Sequence, residues 1–236
     1  MFYQVEQAFQ QFVDFILPPK CVNCSRAGDL ICSACYTKIA WLNPPLCQQC
    51  GRSIEEKQTT CPECLTSPSP LKQIRAATQF IEPISQFIHQ LKYYNGFAIA
   101  RPLAQIMVEA WPKWQTEKMI DGIVPIPLYP AREKERGYNQ SALLARHFAQ
   151  SIQQPYLPHL LTRTRYTQPQ ARLNAHERQN NVVGAFKGVM KGAKLPQHVL
   201  LVDDVCTTGA TLHEAARALR RLGVPHVSAY CLARAT

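Results

Sequence analysis

The stretch Val199-Leu200-Leu201-Val202-Asp203-Asp204-Val205-Cys206-Thr207-Thr208-Gly209-Ala210-Thr211 decides how the rest of the chain is read. Four apolar residues make a strand buried on both faces, and two carboxylates follow where that strand should end. A Thr/Thr/Gly turn then leads into a helix. Thr211 and Glu214 have the T-x-x-E spacing of a capping box, and Leu212, Ala215, Ala216, Leu219 and Leu222 form one apolar stripe. Gly223 stops the helix, Pro225 prevents its resumption, and Val227 to Leu232 reads as a second buried strand. The segment is therefore a βαβ unit, whose ligands bind outside the carboxyl ends of the strands.

Each residue type in the turn has a physical task. Backbone N–H groups from Thr207, Thr208, Gly209, Ala210 and Thr211 can converge on an anion at the positive end of the helix, and Gly209 keeps a β-carbon out of the way. Asp203 and Asp204 offer acceptors suited to a sugar diol, or indirectly to a metal, close to that anion. A phosphate beside a polyhydroxyl is a sugar phosphate. A Walker B acid is the competing reading, but the chain lacks G-x-x-x-x-G-K-[ST]. The run Val202 to Thr211 resembles the 5-phosphoribosyl 1-pyrophosphate (PRPP) signature of type I phosphoribosyltransferases. That resemblance implies that Asp203 and Asp204 hold the ribose hydroxyls and that Thr207 to Thr211 hold the 5′-phosphate.

At 236 residues, 46% hydrophobic and 18% charged, the chain is long enough for a substantial core and is neither membrane-like nor disordered. The first seventeen residues lack a basic leader region and carry Phe2, Val5, Phe9, Phe12, Val13 and Ile16 at helical spacing, so residues 1–19 are expected to form an amphipathic helix ending at Pro18-Pro19. No apolar run reaches membrane-spanning length, and a cytoplasmic protein is expected. The net charge of +10 is unevenly placed. Residues 1–70 hold five basic against six acidic side chains, and residues 71–236 hold twenty-one against ten.

Eight of the ten cysteines form four C-x-x-C pairs: Cys21/Cys24, Cys32/Cys35, Cys47/Cys50 and Cys61/Cys64. Two such knuckles complete a closed tetrahedral Cys₄ site, so two structural zinc ions are expected. A disulfide framework is disfavoured without a secretion signal, and iron–sulfur clusters use less regular pairing. Consecutive pairing gives two ribbons, Cys21/24/32/35 and Cys47/50/61/64, whereas alternate pairing gives a cross-brace. Gly51 suits a knuckle turn and Tyr36 to Leu42 looks like a helical spacer, so consecutive pairing is preferred. Eight thiolates with two Zn²⁺ contribute about −4, which makes the ribbons acidic and suits a structural or protein-docking role better than phosphate binding.

Domain boundaries follow from composition: the helix over 1–19, a double ribbon over 20–66, a linker over 67–73 around Thr66-Ser67-Pro68-Ser69-Pro70, and an α/β domain over 74–236. In that domain Ile74 to Ile81 reads as a strand, Ile84 to Leu91 and Phe97 to Trp111 as helices, and Gly122 to Pro127 as a strand breaking into a loop from Leu128 to Tyr138. Arg136-Gly137-Tyr138-Asn139-Gln140 places a cation, a flexible glycine and two amides at the start of a helix running to about Gln153, and is a candidate ligand loop. Thr162 to Lys194 carries seven basic residues against Glu177 alone, and Tyr166 to Asn181 reads as a long polar loop. It could close over an anionic ligand, or serve as a basic patch for nucleic acid. Only Tyr166 and Phe186 interleave it with aromatics, which weakens a stacking mode.

Taken in order, Pro18-Pro19-Lys20-Cys21, the paired ribbons, Leu91-Lys92-Tyr93, Val124-Pro125-Ile126-Pro127-Leu128, Glu135 to Gln140, Gln168-Pro169-Gln170, Arg178 with Asn181, and the PRPP signature resemble the ComF family. The resemblance implies an α/β fold: a type I phosphoribosyltransferase-like parallel sheet flanked by helices, preceded by a double zinc ribbon. It also implies a link to DNA uptake in competence or to the use of incoming DNA. If the chain is a transferase, Lys92, Arg136 and Mg²⁺ would neutralise the leaving pyrophosphate while Asp203 and Asp204 fix the ribose. Purine-salvage members of the fold carry an aspartate base where this chain has Thr207, so a purine acceptor is not expected. The partners implied are PRPP and, through the DNA link, single-stranded DNA or DNA-uptake proteins such as a helicase. Three roles remain open at this level: a phosphoribosyltransferase of unknown acceptor, a non-catalytic PRPP-sensing adaptor, and a DNA-binding competence factor.

Overall fold

A computed structural model of the chain describes residues 18–94, 96–113, 120–167, 181–190 and 194–235. The expected amphipathic helix, Gln168-Pro169-Gln170, Arg178 and most of the loop from Tyr166 to Asn181 lie outside the described residues. Two short helices, α1 (Ser33–Tyr36) and α2 (Pro62–Thr66), belong to the cysteine-rich region. Beyond it come β1 (Ile74–Gln79), α3 (Ile84–Tyr93), α4 (Gly96–Ala110), β2 (Gly122–Pro125), α5 (Pro130–Arg136) and α6 (Gln140–Ser151). A small antiparallel pair, β3 (Leu161–Arg163) and β4 (Phe186–Gly188), precedes β5 (His198–Cys206), α7 (Ala210–Leu222) and β6 (His226–Arg234).

The main sheet is parallel, in the order β1-β6-β5-β2, with β5 inside it. Its near-continuous burial explains the apolar run of the deciding stretch, because helices cover both faces of a parallel sheet. The strand does not end at the carboxylates: pairing with β6 continues to Cys206 opposite Arg234. α7 buries Leu212, Ala215, Ala216 and Leu219 as the stripe predicts, and ends at Gly223 with φ +107.

Three local expectations are corrected. The capping box does not form. α7 begins at Ala210 behind Gly209, and Glu214 instead accepts hydrogen bonds from Gly184 N–H, Arg217 and Arg221 at 3.1, 2.9 and 3.0 Å. The stretch Leu128 to Tyr138 is not all loop, because Pro130 at the first helical turn and left-handed Gly137 delimit α5. Tyr36 to Leu42 is not a helical spacer. Ala40 to Leu42 lies antiparallel to β1, with Leu42 N–H donating to Ala77 O at 3.0 Å and Gln79 N–H donating to Ala40 O at 2.8 Å.

That pairing attaches the ribbons to the sheet. Leu71 is buried, Lys72 N–H donates to Val227 O, and Cys21, Cys32 and Cys35 belong to the same apolar cluster as the strands. At the opposite edge, Ile123 N–H donates to Pro155 O and Leu157 N–H to Ile123 O, so both edges of the sheet have backbone partners.

Candidate functional site

The site is built where β5 hands over to α7. Asp203 and Asp204 reach the end of β5 with Asp204 only 3% exposed, and α6 supplies their partners. Asn139 caps α6, its side chain accepting from Ser141 and Ala142 N–H while its amide donates to Ile126 O at 3.0 Å. The cap fixes the first helical turn, so Ser141 Oγ donates to Asp203 Oδ1 at 2.7 Å and Gln140 Nε2 to Asp204 Oδ1 at 3.0 Å.

Lys92, in the last turn of α3, places its Nζ 2.5 Å from Asp204 Oδ2. Tyr138 ties this turn to the α5–α6 connection: its hydroxyl donates to Leu91 O at 2.8 Å and accepts from Gly96 N–H at 3.2 Å. Arg136 donates to Gln140 Oε1 and stacks 5.4 Å from the centre of the Tyr93 ring. A cavity of about 200 Å³ collects Lys92, Arg132, Arg136, Arg163, the two acids and Thr211.

The two acids titrate apart. Burial and the neighbouring Asp204 charge push Asp203 up to about 8, whereas Asp204 is held below the usual carboxylate range because the Lys92 ammonium and the Gln140 amide outweigh burial. Burial opposes the Lys92 charge, but Asp204 raises its pKa overall. Once Asp203 gives up its proton, the pair offers acceptor oxygens to both hydroxyls of a vicinal diol.

Gly209 adopts φ +79, and no side chain of this residue caps α7, which leaves the loop as a backbone-lined turn at the positive end of a thirteen-residue helix. Within the loop, Thr208 Oγ1 accepts from Ala210 N–H at 3.4 Å. Thr211 faces the acid cavity. Thr208 and Ala210 instead line a second cavity of about 440 Å³ that opens toward the second ribbon. The structure places Lys92, Arg136, Asp203, Asp204 and Thr211 around one cavity, and adds Ser141 and Tyr138, which had no role in the sequence reading, and Arg163, which that reading counted only within the basic stretch from Thr162 to Lys194. The spacing of Gln140 and Ser141 behind the Asn139 cap was the available signal for the first. Arg163 stacks 5.2 Å from the Phe186 ring centre and donates to Thr167.

The cysteines fall into two sets, Cys21/24/32/35 and Cys47/50/61/64, and within each set the ligand atoms lie within 4.8 Å of one another, so the pairing is consecutive. A tetrahedron with metal–sulfur bonds of about 2.3 Å has sulfur–sulfur edges of about 3.8 Å. Cys24 and Cys32 Sγ stand 3.6 Å apart, and Cys50 and Cys61 Sγ 3.7 Å apart. Cys61 N–H points at Cys47 Sγ at 3.3 Å, and the Asn23 amide at Cys35 Sγ at 3.4 Å, the kind of outer contact that stabilises metal-bound thiolates. The residues fit zinc at both sets. Among the described residues no helix is long and apolar enough to cross a membrane.

Residues 12–65 match the family model of a double zinc ribbon domain, and residues 141–236 match that of a phosphoribosyl transferase domain. The chain is 33% identical over 224 residues to Competence protein F of Haemophilus influenzae, an overlap covering 92% of this chain and 97% of that one. It is 34% identical over 210 residues to the DNA utilization protein YhgH of Escherichia coli, covering 86% and 90% of the two chains. Competence protein ComFC of Bacillus subtilis is 26% identical over 216 residues, covering 89% and 86%. A double zinc ribbon joined to a phosphoribosyl transferase domain, with identity of this order along nearly the whole length, makes the chain a member of the ComF family.

Proposed function

We propose that this protein binds PRPP with Mg²⁺ in the cavity between β5, α6 and α7, and transfers the phosphoribosyl group to an acceptor in the use of incoming DNA. One observation carries the reading. The buried acids Asp203 and Asp204 open on one cavity with Thr211, in the first turn of the helix that follows the glycine turn, and with Lys92, Arg132, Arg136 and Arg163. Asp203 and Asp204 hold the ribose hydroxyls, held in turn by Ser141 and Gln140. Thr207 to Thr211 take the 5′-phosphate. Lys92 and Arg136 offset the charge that develops on the departing pyrophosphate while the bond from C1 breaks and the acceptor's bond forms. Bound with the pyrophosphate, Mg²⁺ supplies further charge neutralisation. Thr207 offers no base, so the acceptor is one that needs no proton removed at this position. Zinc in the two Cys₄ sets is structural.

Calorimetric titration of PRPP, with and without Mg²⁺, tests the binding, and pyrophosphate release on adding PRPP tests turnover. Binding that is abolished in Asp203→Asn/Asp204→Asn, with the far-ultraviolet spectrum retained, is the expected result. Unchanged affinity in that double variant sinks the assignment. Binding without pyrophosphate release favours a PRPP-sensing adaptor.

A second reading has its own observation. Tyr93, Tyr94 and Phe97, close in sequence, are 62%, 68% and 63% exposed, with Arg136 stacked on Tyr93 and Lys92 and Arg101 on the same helices. Exposed aromatics beside cations suit stacking of single-stranded bases, and here Tyr93, which is not part of the basic loop, lines the acid cavity. The names of the relatives, competence and DNA utilization, favour such a partner. A labelled oligothymidylate titrated across a salt series against Tyr94→Ala/Phe97→Ala reads this surface independently of PRPP.

A further inference from the structure

The two ribbons do not relate to the sheet in the same way. The first touches it away from the proposed phosphate loop, through Ala40 to Leu42 on β1 and through Tyr36, whose hydroxyl donates to Glu109 of α4. The second meets the start of β1 with its knuckle. Ile74 N–H donates to Gln49 O at 2.7 Å, and Arg75 Nη1 donates to Cys47 O at 3.3 Å. Gly51 adopts φ +70 and lies so close that a β-carbon there would stand 2.5 Å from Ile74 O. On its other side Ile74 packs against the phosphate loop: its Cδ1 would stand 3.3 Å from a β-carbon at Gly209. Cys50, Cys61 and Cys64 wall one side of the 440 Å³ cavity, and Thr208, His213 and Arg234 wall the other.

From this continuous contact we infer that Gly51 and Ile74 are positioning residues for the phosphate loop, transmitting the geometry of the second Cys₄ knuckle to Gly209. The inference rests on the reading of Thr207 to Thr211 as the 5′-phosphate site. The mechanism is steric. Gly209 needs a left-handed backbone, and the side of Ile74 facing it is held in place by the knuckle hydrogen-bonded to the Ile74 backbone. A knuckle displaced by a few tenths of an ångström moves Ile74, and the turn that must present its N–H groups to the phosphate loses its support. The first ribbon offers a built-in control. Gly28 also has positive φ, at +122, but a β-carbon there meets nothing within 4 Å.

The test uses the full-length, zinc-loaded protein, with metal content measured for each variant, and titrates two probes: ribose 5-phosphate, which needs the loop, and Mg²⁺-pyrophosphate, which needs the cationic wall. Gly51→Ala is expected to weaken ribose 5-phosphate binding about tenfold or more, and Ile74→Val by about threefold, where a factor of ten corresponds to 1.4 kcal/mol. Pyrophosphate affinity should stay within about twofold of wild type in both, as should both affinities in Gly28→Ala. A general loss of structure would move both probes together and would overturn the inference. If Gly51→Ala fails to retain zinc, Ile74→Val decides, because it leaves the knuckle intact. Wild-type affinity for ribose 5-phosphate in Ile74→Val and in metal-retaining Gly51→Ala overturns the positioning role while leaving the PRPP site standing. Absence of ribose 5-phosphate and PRPP binding in the wild type overturns both.

Discussion

Asp203 is the residue at which function and stability pull apart. Its folded-state pKa lies well above the ordinary value of 3.8, near 8, because it is buried beside a second carboxylate. A raised pKa means that the group's stabilising proton is fully bound below the unfolded value and is lost as pH climbs through the folded value. The ligand-free protein therefore loses stability between about pH 4 and about pH 8 on account of Asp203. Asp203→Asn removes that loss and should raise the melting temperature near pH 8. Even about 1 kcal/mol corresponds to roughly 2–4 °C in a chain of this size. A lower melting temperature than wild type there would contradict this account of the pair. The same proton shapes binding. A ligand that uses Asp203 as an acceptor must expel it, so PRPP affinity should rise with pH up to about 8, by at most about tenfold per unit, and the rise should vanish in Asp203→Asn. Titrations in buffers of different ionisation enthalpy count the released proton directly. The carboxylates themselves were legible because their order, strand then acids then glycine turn, is set by local chemistry. Ser141 was not, since its partner lies 62 positions away and only the fold brings them together.

The α7 helix shows how a correct element can be reached through a wrong local device. Its apolar stripe and its Gly223 stop were both readable, because helical period and left-handed glycine are properties of neighbouring residues. The T-x-x-E pattern misled because tertiary contacts claimed Glu214. The N-cap is Gly209, two residues before Thr211, so Glu214 lies too far along the helix to reach back to it, and the carboxylate turns to the segment entering β4. The Glu214 carboxylate therefore does not occupy the N-terminal amides of α7. Glu214 is 3% exposed, and holding Gly184 N–H, Arg217 and Arg221 keeps its pKa below the ordinary value although burial opposes this. Both arginines are about half exposed, so solvent screens their share and the triad is worth far less than a fully buried one. Glu214→Gln should cost about 1–2 kcal/mol in chemical denaturation. It should also speed amide exchange around Gly184 more than at β5. Equal protection in wild type and variant at Gly184 would show that the carboxylate does not hold the β3–β4 hairpin against α7.

At the scale of the whole molecule, the ribbons complete the sheet as well as precede it. The sequence shows a linker and suggests beads on a string, because Thr66 to Pro70 has loop composition and the net charge changes sign across it. What it cannot display is that Ala40 to Leu42, read as the end of a helix, pairs with a strand more than thirty residues further on. Nothing in the period of three residues distinguishes a helical end from a short edge strand. The consequence is physical. β1 is at the edge of the parallel sheet, and residues 40–42 occupy the backbone groups that it would otherwise present. Removing residues 1–70 therefore exposes an edge together with the apolar faces that Leu42 and Ile39 cover, both of them buried in the intact chain. A chain beginning at Leu71 should self-associate at micromolar concentration, seen as a rising weight-average mass by light scattering, and should unfold at lower denaturant than the full chain. Leu42→Pro in the full-length protein tests the edge without truncation, because it removes the N–H that donates to Ala77 O while leaving the cysteines in place. If the truncated chain stays monomeric and equally stable, the ribbons are appended to a self-sufficient domain. If Leu42→Pro alone reproduces part of the association, the strand supplied by the first ribbon is what keeps the transferase-like sheet closed.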